Sequence, residues 1–264
     1  MTANCLDARG VAMRYGEGET AVAALERIDL AIKAHEFVTI VGPSGCGKST
    51  LLYLVGGFLS PTEGEILFHG APIRGPGPER GIVFQRYSLF PWLTVAGNIA
   101  FGLEEKGVAR GERERIVRQH LALVHLEGFE HRYPRELSGG MQQRVAIAQT
   151  LACEPEVLLM DEPFGALDAQ TRRILQDELR KIWRRDTKTV LFVTHDVEEA
   201  VALGTRIVVM AARPGRIKEV ITRDFDVAEG DEFEADPAFV ALKLHIWRSV
   251  KEEVEAARAA GLPP

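Results

Sequence analysis

The chain has 264 residues, enough for one large core or for a core with a subdomain. Hydrophobic residues make up 46% and charged residues 27%, the balance of an ordinary globular protein, and the net charge of -6 leaves no broad basic footprint for nucleic acid or an anionic bilayer. No stretch reaches about 18 uninterrupted apolar residues. The nearest, 51–59, contains two glycines and stops before Ser60-Pro61, so the chain is not expected to span a membrane by itself. The opening Met1-Thr2-Ala3-Asn4-Cys5-Leu6 has neither a basic nor an apolar leader region. Three cysteines, an odd number, make no secretory disulfide framework, so a reducing cytoplasm is expected.

In chain order, 10–15 predicts a strand followed by a turn at 16–19. The alternation of Leu25-Glu26-Arg27-Ile28-Asp29-Leu30-Ala31-Ile32 predicts a strand with one wet face. Both precede the apolar strand 37–41 and suggest a small, mostly antiparallel sheet beside the main core. A helix begins after residue 50, a short strand covers 64–70, a Pro/Gly-rich loop covers 72–78, and 81–84 is a strand ending at Gln85. From 94 to about 152 the pattern is helical, including 94–103 and 111–126. Strands then return at 157–160, 189–193, 207–210 and 215–220, with helices at 169–183 and from 197, and a last helix at 236–259. Short apolar strands alternating with helices favour a largely parallel sheet, an α/β fold. The organisation expected is 1–93 for the antiparallel strands and the first part of the core, 94–152 for a helical subdomain, 153–235 for the rest of the core, and 236–264 for a helical extension.

The chemistry is concentrated at Gly42-Pro43-Ser44-Gly45-Cys46-Gly47-Lys48-Ser49-Thr50, a Gly-x-x-x-x-Gly-Lys-Ser run between the strand at 37–41 and an apolar helix. A strand delivers the chain to a glycine-rich turn whose N–H groups point inward, and the helix adds its positive N-terminus. Such a turn holds a polyphosphate. Lys48 is expected at the β- and γ-phosphates and the Ser49 hydroxyl in a Mg²⁺ shell. The strand at 157–160 ends in Asp161-Glu162, which places Asp161 to bind Mg²⁺ through water and Glu162 to polarise an attacking water; a solvated strand end is the plain alternative. Ser138 stands at a helix start in Leu137-Ser138-Gly139-Gly140-Met141-Gln142, as a helix cap or, with the donors freed by Gly139 and Gly140, as an anion contact.

Taken together these runs resemble the ATP-binding-cassette ATPases over nearly the whole chain. Within that likeness 42–50 is similar to the Walker A loop, 137–142 to the signature, 157–162 to the Walker B segment, and 165–168 to the dimer-facing loop; Gln85 matches the lid-loop glutamine and His195 the switch histidine. The resemblance implies a P-loop NTPase core with an antiparallel β subdomain and a helical signature subdomain, and an ATPase using ATP and Mg²⁺. Glu162 then acts as general base, His195 contacts the γ-phosphate and positions water, and Gln85 serves both catalysis and the metal shell. Tyr15 stacks on adenine, the alternative being packing within its strand. Cys46 lies in the loop without a catalytic role, and its alkylation is expected to obstruct the loop sterically.

The same likeness implies two cassettes stacked head to tail, so that Ser138, Gly139 and Gly140 of one copy close over the ATP of the other, with Asp168 near that contact. A single short cassette implies the energy-coupling subunit of a membrane importer at the cytoplasmic face of the inner or plasma membrane. Its partners are then two membrane-spanning permease subunits and, through them, an extracytoplasmic binding protein, with no nucleic acid expected. The alternative is a soluble ATP-switched machine acting on nucleic acid or ribosomes. The permease contact is expected at Arg86-Tyr87-Ser88-Leu89-Phe90-Pro91-Trp92. The runs 75–85, 90–92, 164–172 and 212–217 resemble the nitrate/sulfonate/taurine importers, which implies a small anionic or zwitterionic cargo.

Overall fold

A computed structural model gives the fold and describes residues 4–16, 18, 21–86, 88–186, 188–227 and 232–259. The chain divides into two compact units, one of residues 1–77 and 183–264, the other of residues 78–182.

The first unit holds an antiparallel sheet of β1 (Asn4–Tyr15), β2 (Val22–Lys33), β4 (Glu63–Phe68) and β5 (Ala71–Pro72), in the order β2-β1-β4-β5. Its centre is β1, which pairs with β2 on one side and β4 on the other. This is why the strand starts at Asn4 instead of residue 10. Cys5, Leu6 and Ala8 are buried there, and their neighbours come from distant sequence. On β2 the buried set is Leu25, Ile28, Leu30 and Ile32. The break in alternation falls at Arg27, with φ 44°, where the register with β1 also shifts.

In the same unit β3 (Phe37–Val41) lies between β8 (Thr189–Val193) and β9 (Arg206–Ala211), parallel to both, and β10 (Arg216–Thr222) runs antiparallel on β9. Every residue of β3 and β8 is buried, as in a parallel sheet covered on both faces. Helices α1 (Lys48–Gly56), α6 (Val197–Leu203) and α7 (Pro237–Ala259) complete this unit. Phe239 and Ile246 of α7 are wholly buried against Val201, Ile207 and Val209, so this helix is part of a core. At its start the Asp236 carboxylate accepts the Ala238 N–H at 2.7 Å.

The second unit contains β6 (Arg80–Val83) paired in parallel with β7 (Val157–Asp161). Around them are α2 (Val95–Glu105), α3 (Arg110–Leu123), α4 (Gly139–Ala152) and α5 (Ala169–Asp186), whose last turn falls in the first unit. Thr94 caps α2, its hydroxyl accepting the Gly97 N–H at 3.1 Å. Helix α3 stops at Leu123, short of the expected residue 126. Past its end the Val124 and His125 carbonyls accept from the Arg144 guanidinium at 3.0 and 3.2 Å, and this takes the place of further helical pairing. Burial lowers the Arg144 pKa, an effect opposed by the Asp168 carboxylate.

Candidate functional site

The phosphate loop is assembled inside the first unit. Strand β3 ends at Val41, the turn follows, and α1 begins at Lys48 with Gly47 as its N-cap. Gly45 and Gly47 have φ 73° and 88°, a region in which a side chain is strained. A Cβ on Gly47 would also stand 2.5 Å from Leu25 Cδ2. With no side chain on Gly47 to cap the helix, the first N–H groups of α1 present their positive end to the turn. Ser44 and Gly45 are exposed at its lip, whereas Gly42, Cys46 and Lys48 are buried. Lys48 folds back over the turn, and its ammonium donates to the Gly42 and Pro43 carbonyls at 2.9 and 3.0 Å. The cation is therefore held at the loop by the loop's own backbone.

The Cys46 side chain is wholly buried, 3.8 Å from Lys48 Nζ, and burial raises the thiol pKa against the lowering effect of that ammonium. Alkylation, which is expected to obstruct the loop, is therefore slow in the folded chain. A reagent cannot reach the sulfur while the loop is closed over it, and little of the thiol is ionised at neutral pH.

Tyr15 ends β1 with an exposed ring, and its hydroxyl lies 3.4 Å from Thr50 Oγ1 in α1, so the aromatic group is brought beside the phosphate loop. His195 is exposed at the turn between β8 and α6. The turn is fixed around it. Thr194 donates its N–H to the Ile40 carbonyl at 3.1 Å, and the Asp196 carboxylate accepts from Glu198 and Glu199 N–H groups at the start of α6.

In the second unit β7 ends at Asp161, which is wholly buried, and Glu162 follows with φ 45°. A left-handed backbone at a non-glycine residue is uncommon and marks a position held by its surroundings. The Gln85 amide donates to Glu162 Oε2 at 3.1 Å, so two residues 77 positions apart meet here. Asp161 and Gln85 offer hard oxygen donors, the type Mg²⁺ prefers, and so does Ser49 in the first unit.

Ser138 caps α4, its hydroxyl accepting the Met141 N–H at 3.3 Å, and Gly139 and Gly140 form the first turn. Asp168 accepts the Thr171 N–H at 2.9 Å as the cap of α5. That N–H holds the Asp168 carboxyl below its ordinary value. Both residues thus cap the helices that follow them.

Of the segment 86–92, Tyr87 lies outside the described residues. Phe90 is half-buried, with its ring 4.4 Å from Phe101 and 5.5 Å from Trp92 between centroids, while Trp92 is 71% exposed. Phe90 packs locally and Trp92 faces outward.

Three further supports are set by tertiary contacts. Asn98, wholly buried in α2, accepts the Phe90 N–H at 2.8 Å and donates to the Phe90, Leu93 and Thr94 carbonyls at 3.2, 3.1 and 3.0 Å. The nearly buried Gln143 of α4 donates to the Phe84 carbonyl at 3.4 Å, just before Gln85. Beneath the phosphate loop, Gly215 exchanges backbone hydrogen bonds with Ala24 and Glu26, and a Cβ there would stand 2.1 Å from the Cys46 carbonyl. A polar residue inside an apolar helix pattern is a signal for Asn98; nothing local distinguishes Gly215.

Residues 25–165 match the family described as ABC transporter. The chain is 58% identical over 233 residues to an uncharacterised ABC transporter ATP-binding protein of Methanocaldococcus jannaschii, covering 88% of this chain and 86% of the relative. It is 47% identical over 250 residues to a taurine import ATP-binding protein of Pseudomonas putida, covering 93% and 95%. Among solved structures, a dimeric bacterial ABC transporter cassette superposes with TM-score 0.77 at 36% identity, covering 83% of this chain and all of that one. A post-hydrolysis dimer of an ATP-binding cassette, bound to ADP and Pi, superposes with TM-score 0.76 at the same identity and coverage.

Proposed function

The chain belongs to the ABC transporter family, and from that premise we propose that this ATPase powers the import of a small sulfonate-like or nitrate-like ion, with taurine the first candidate. It is the ATP-binding, ATP-hydrolysing subunit of a transporter, built on the P-loop NTPase fold. The observation that carries the cargo class is the 47% identity, sustained along 93% of the chain, to a taurine import ATP-binding protein.

In this reading the turn 42–50 and the N-terminus of α1 hold the ATP phosphates, and Lys48 leaves its backbone carbonyls for the β- and γ-phosphates. Tyr15 lies against adenine. Glu162 takes the proton of the attacking water, Gln85 orients that carboxylate through the hydrogen bond the two share, and His195 contacts the γ-phosphate. Ser49, Gln85 and Asp161 are the oxygen donors assigned to Mg²⁺, which neutralises charge building on the phosphates when bound. Ser138, Gly139 and Gly140 serve the ATP of a second copy, a reading supported by the dimeric state of one solved cassette in both of its structures.

No helix among the described residues is long and apolar enough to cross a membrane. From the likeness to import ATP-binding proteins, membrane attachment is assigned to separate permease subunits, with this chain peripheral at the cytoplasmic face and an extracytoplasmic binding protein delivering cargo. The outward Trp92, together with a groove of about 550 Å³ whose small apolar floor of Ala96, Ala100 and Val117 is rimmed by charged residues such as Glu104, Arg113 and Arg118, favours the second unit as the permease-facing surface.

The test is ATPase stimulation of the complete transporter, with its permeases and binding protein, by taurine, other alkanesulfonates, nitrate, amines and sugars. Stimulation by the sulfonates or nitrate is expected. Stimulation by a sugar or peptide alone would remove the cargo assignment and leave the ATPase intact.

A further inference from the structure

The polyphosphate turn has a second cation beside it that its sequence motif does not contain. Arg213 lies between β9 and β10, far along the chain, yet its Nη2 is the nearest atom to where a Cβ on Gly45 would stand, 3.8 Å away. The approach is not an accident of a loose loop. Gly215, two residues on, is fixed under the turn by hydrogen bonds from its N–H to the Ala24 carbonyl at 3.0 Å and from the Glu26 N–H to its own carbonyl at 2.9 Å. There it touches the Cys46 backbone so closely that no side chain would fit. Arg213 itself has φ 49°, a conformation that an ordinary side chain adopts only when its surroundings impose it. Its side chain is exposed, and among the described residues no carboxylate or carbonyl holds the guanidinium.

A buried glycine thus anchors a strained arginine so that its charge stands at the lip of the turn, next to Gly45. Lys48 is a compact point charge within the turn, whereas a guanidinium is a planar fork matched to two phosphate oxygens at once. We infer that Arg213 binds the terminal phosphate of the nucleotide held by residues 42–50, in the same copy of the chain, as a second cation complementing Lys48. The inference rests on the proposal that this turn binds the ATP phosphates.

The experiment measures binding of ATP and ADP to the full-length protein by calorimetry, in EDTA so that turnover does not intrude. Arg213→Asn is the main variant, because asparagine tolerates the left-handed backbone while removing the guanidinium. It should weaken ATP binding about tenfold and ADP binding less than threefold, with a shallower salt dependence, and Arg213→Lys should recover part of the loss. Lys48→Ala, the control for the turn, should lose both nucleotides. ATP affinity within twofold of the unaltered protein in Arg213→Asn, while Lys48→Ala fails to bind, would overturn the inference and leave the phosphate loop standing. Equal losses for ATP and ADP would also overturn it, because the contact would not be to the terminal phosphate. Normal ATP binding by Lys48→Ala would remove the loop reading and this inference with it.

Discussion

Replacing Asn98 tests whether one buried amide holds the aromatic turn at 90–93 in place. In Asn98→Ala the Phe90 N–H loses its acceptor and the Leu93 carbonyl loses its donor. The Phe90 carbonyl keeps the Leu93 N–H at 3.1 Å, and the Thr94 carbonyl keeps the backbone N–H of residue 98 at 2.8 Å. Two groups are therefore stranded, at about 1–3 kcal/mol each. Both residues are half-buried and gain some water, so the expected loss is about 2–4 kcal/mol. Asn98→Asp separates the two halves of the amide. It keeps the acceptor for Phe90 but faces three carbonyls with a carboxylate, which raises the new group's pKa in the folded state. A raised carboxyl pKa means that the folded chain binds more protons than the unfolded one. The penalty is then absent below the unfolded value of about 3.9 and grows as pH rises through the folded value. Urea unfolding of both variants, followed by circular dichroism at pH 5 and 7.5, measures this, and hydrogen exchange of 90–98 localises it. Asn98→Ala within about 0.5 kcal/mol of the unaltered protein, or Asn98→Asp as stable at pH 7.5 as at pH 5, would refute the reasoning.

Other perturbations probe the site itself. Glu162→Gln retains an oxygen for the Gln85 amide and should bind ATP normally while turnover falls by about 10²–10⁴, read by nucleotide titration against phosphate release; hydrolysis near the normal rate would reject the general-base role. Gly215→Ala drives a Cβ to 2.1 Å from the Cys46 carbonyl and 2.7 Å from that of Ala24, so a loss of about 3 kcal/mol and weakened ATP binding are expected; an unchanged Tm and affinity would sink the idea. Cys46, buried and raised in pKa, should resist iodoacetamide at pH 7.5 in the folded protein and react on unfolding, as mass spectrometry of the peptide will show; labelling at the rate of an exposed thiol would contradict its placement.

The sequence by itself determined whatever is local in physical origin. The turn 42–50 is made of a strand end, glycines and a helix start that are adjacent in the chain, so its spacing was sufficient to place it. The five-residue strands β3, β7 and β8 announced themselves as apolar runs because both faces are buried. Helix caps at Thr94, Ser138 and Asp196 follow from short polar side chains at the right offset.

The tertiary structure alone decided what depends on partners far along the chain. The first residues of β1 have no pattern of their own and become strand because β2 and β4 flank them. Gln85 reaches Glu162 across 77 positions, and Asn98 reads as one polar interruption until the turn at 90–93 folds onto it. The floor of the phosphate loop comes from Leu25 and Gly215, and its lip carries Arg213. None of these contacts has a fixed spacing, because the sheet that brings the loops together sets only where strands end. The glycine-rich turn is therefore written in nine consecutive residues, while the charge and packing that surround it exist only once β2, β3 and β9 have been placed.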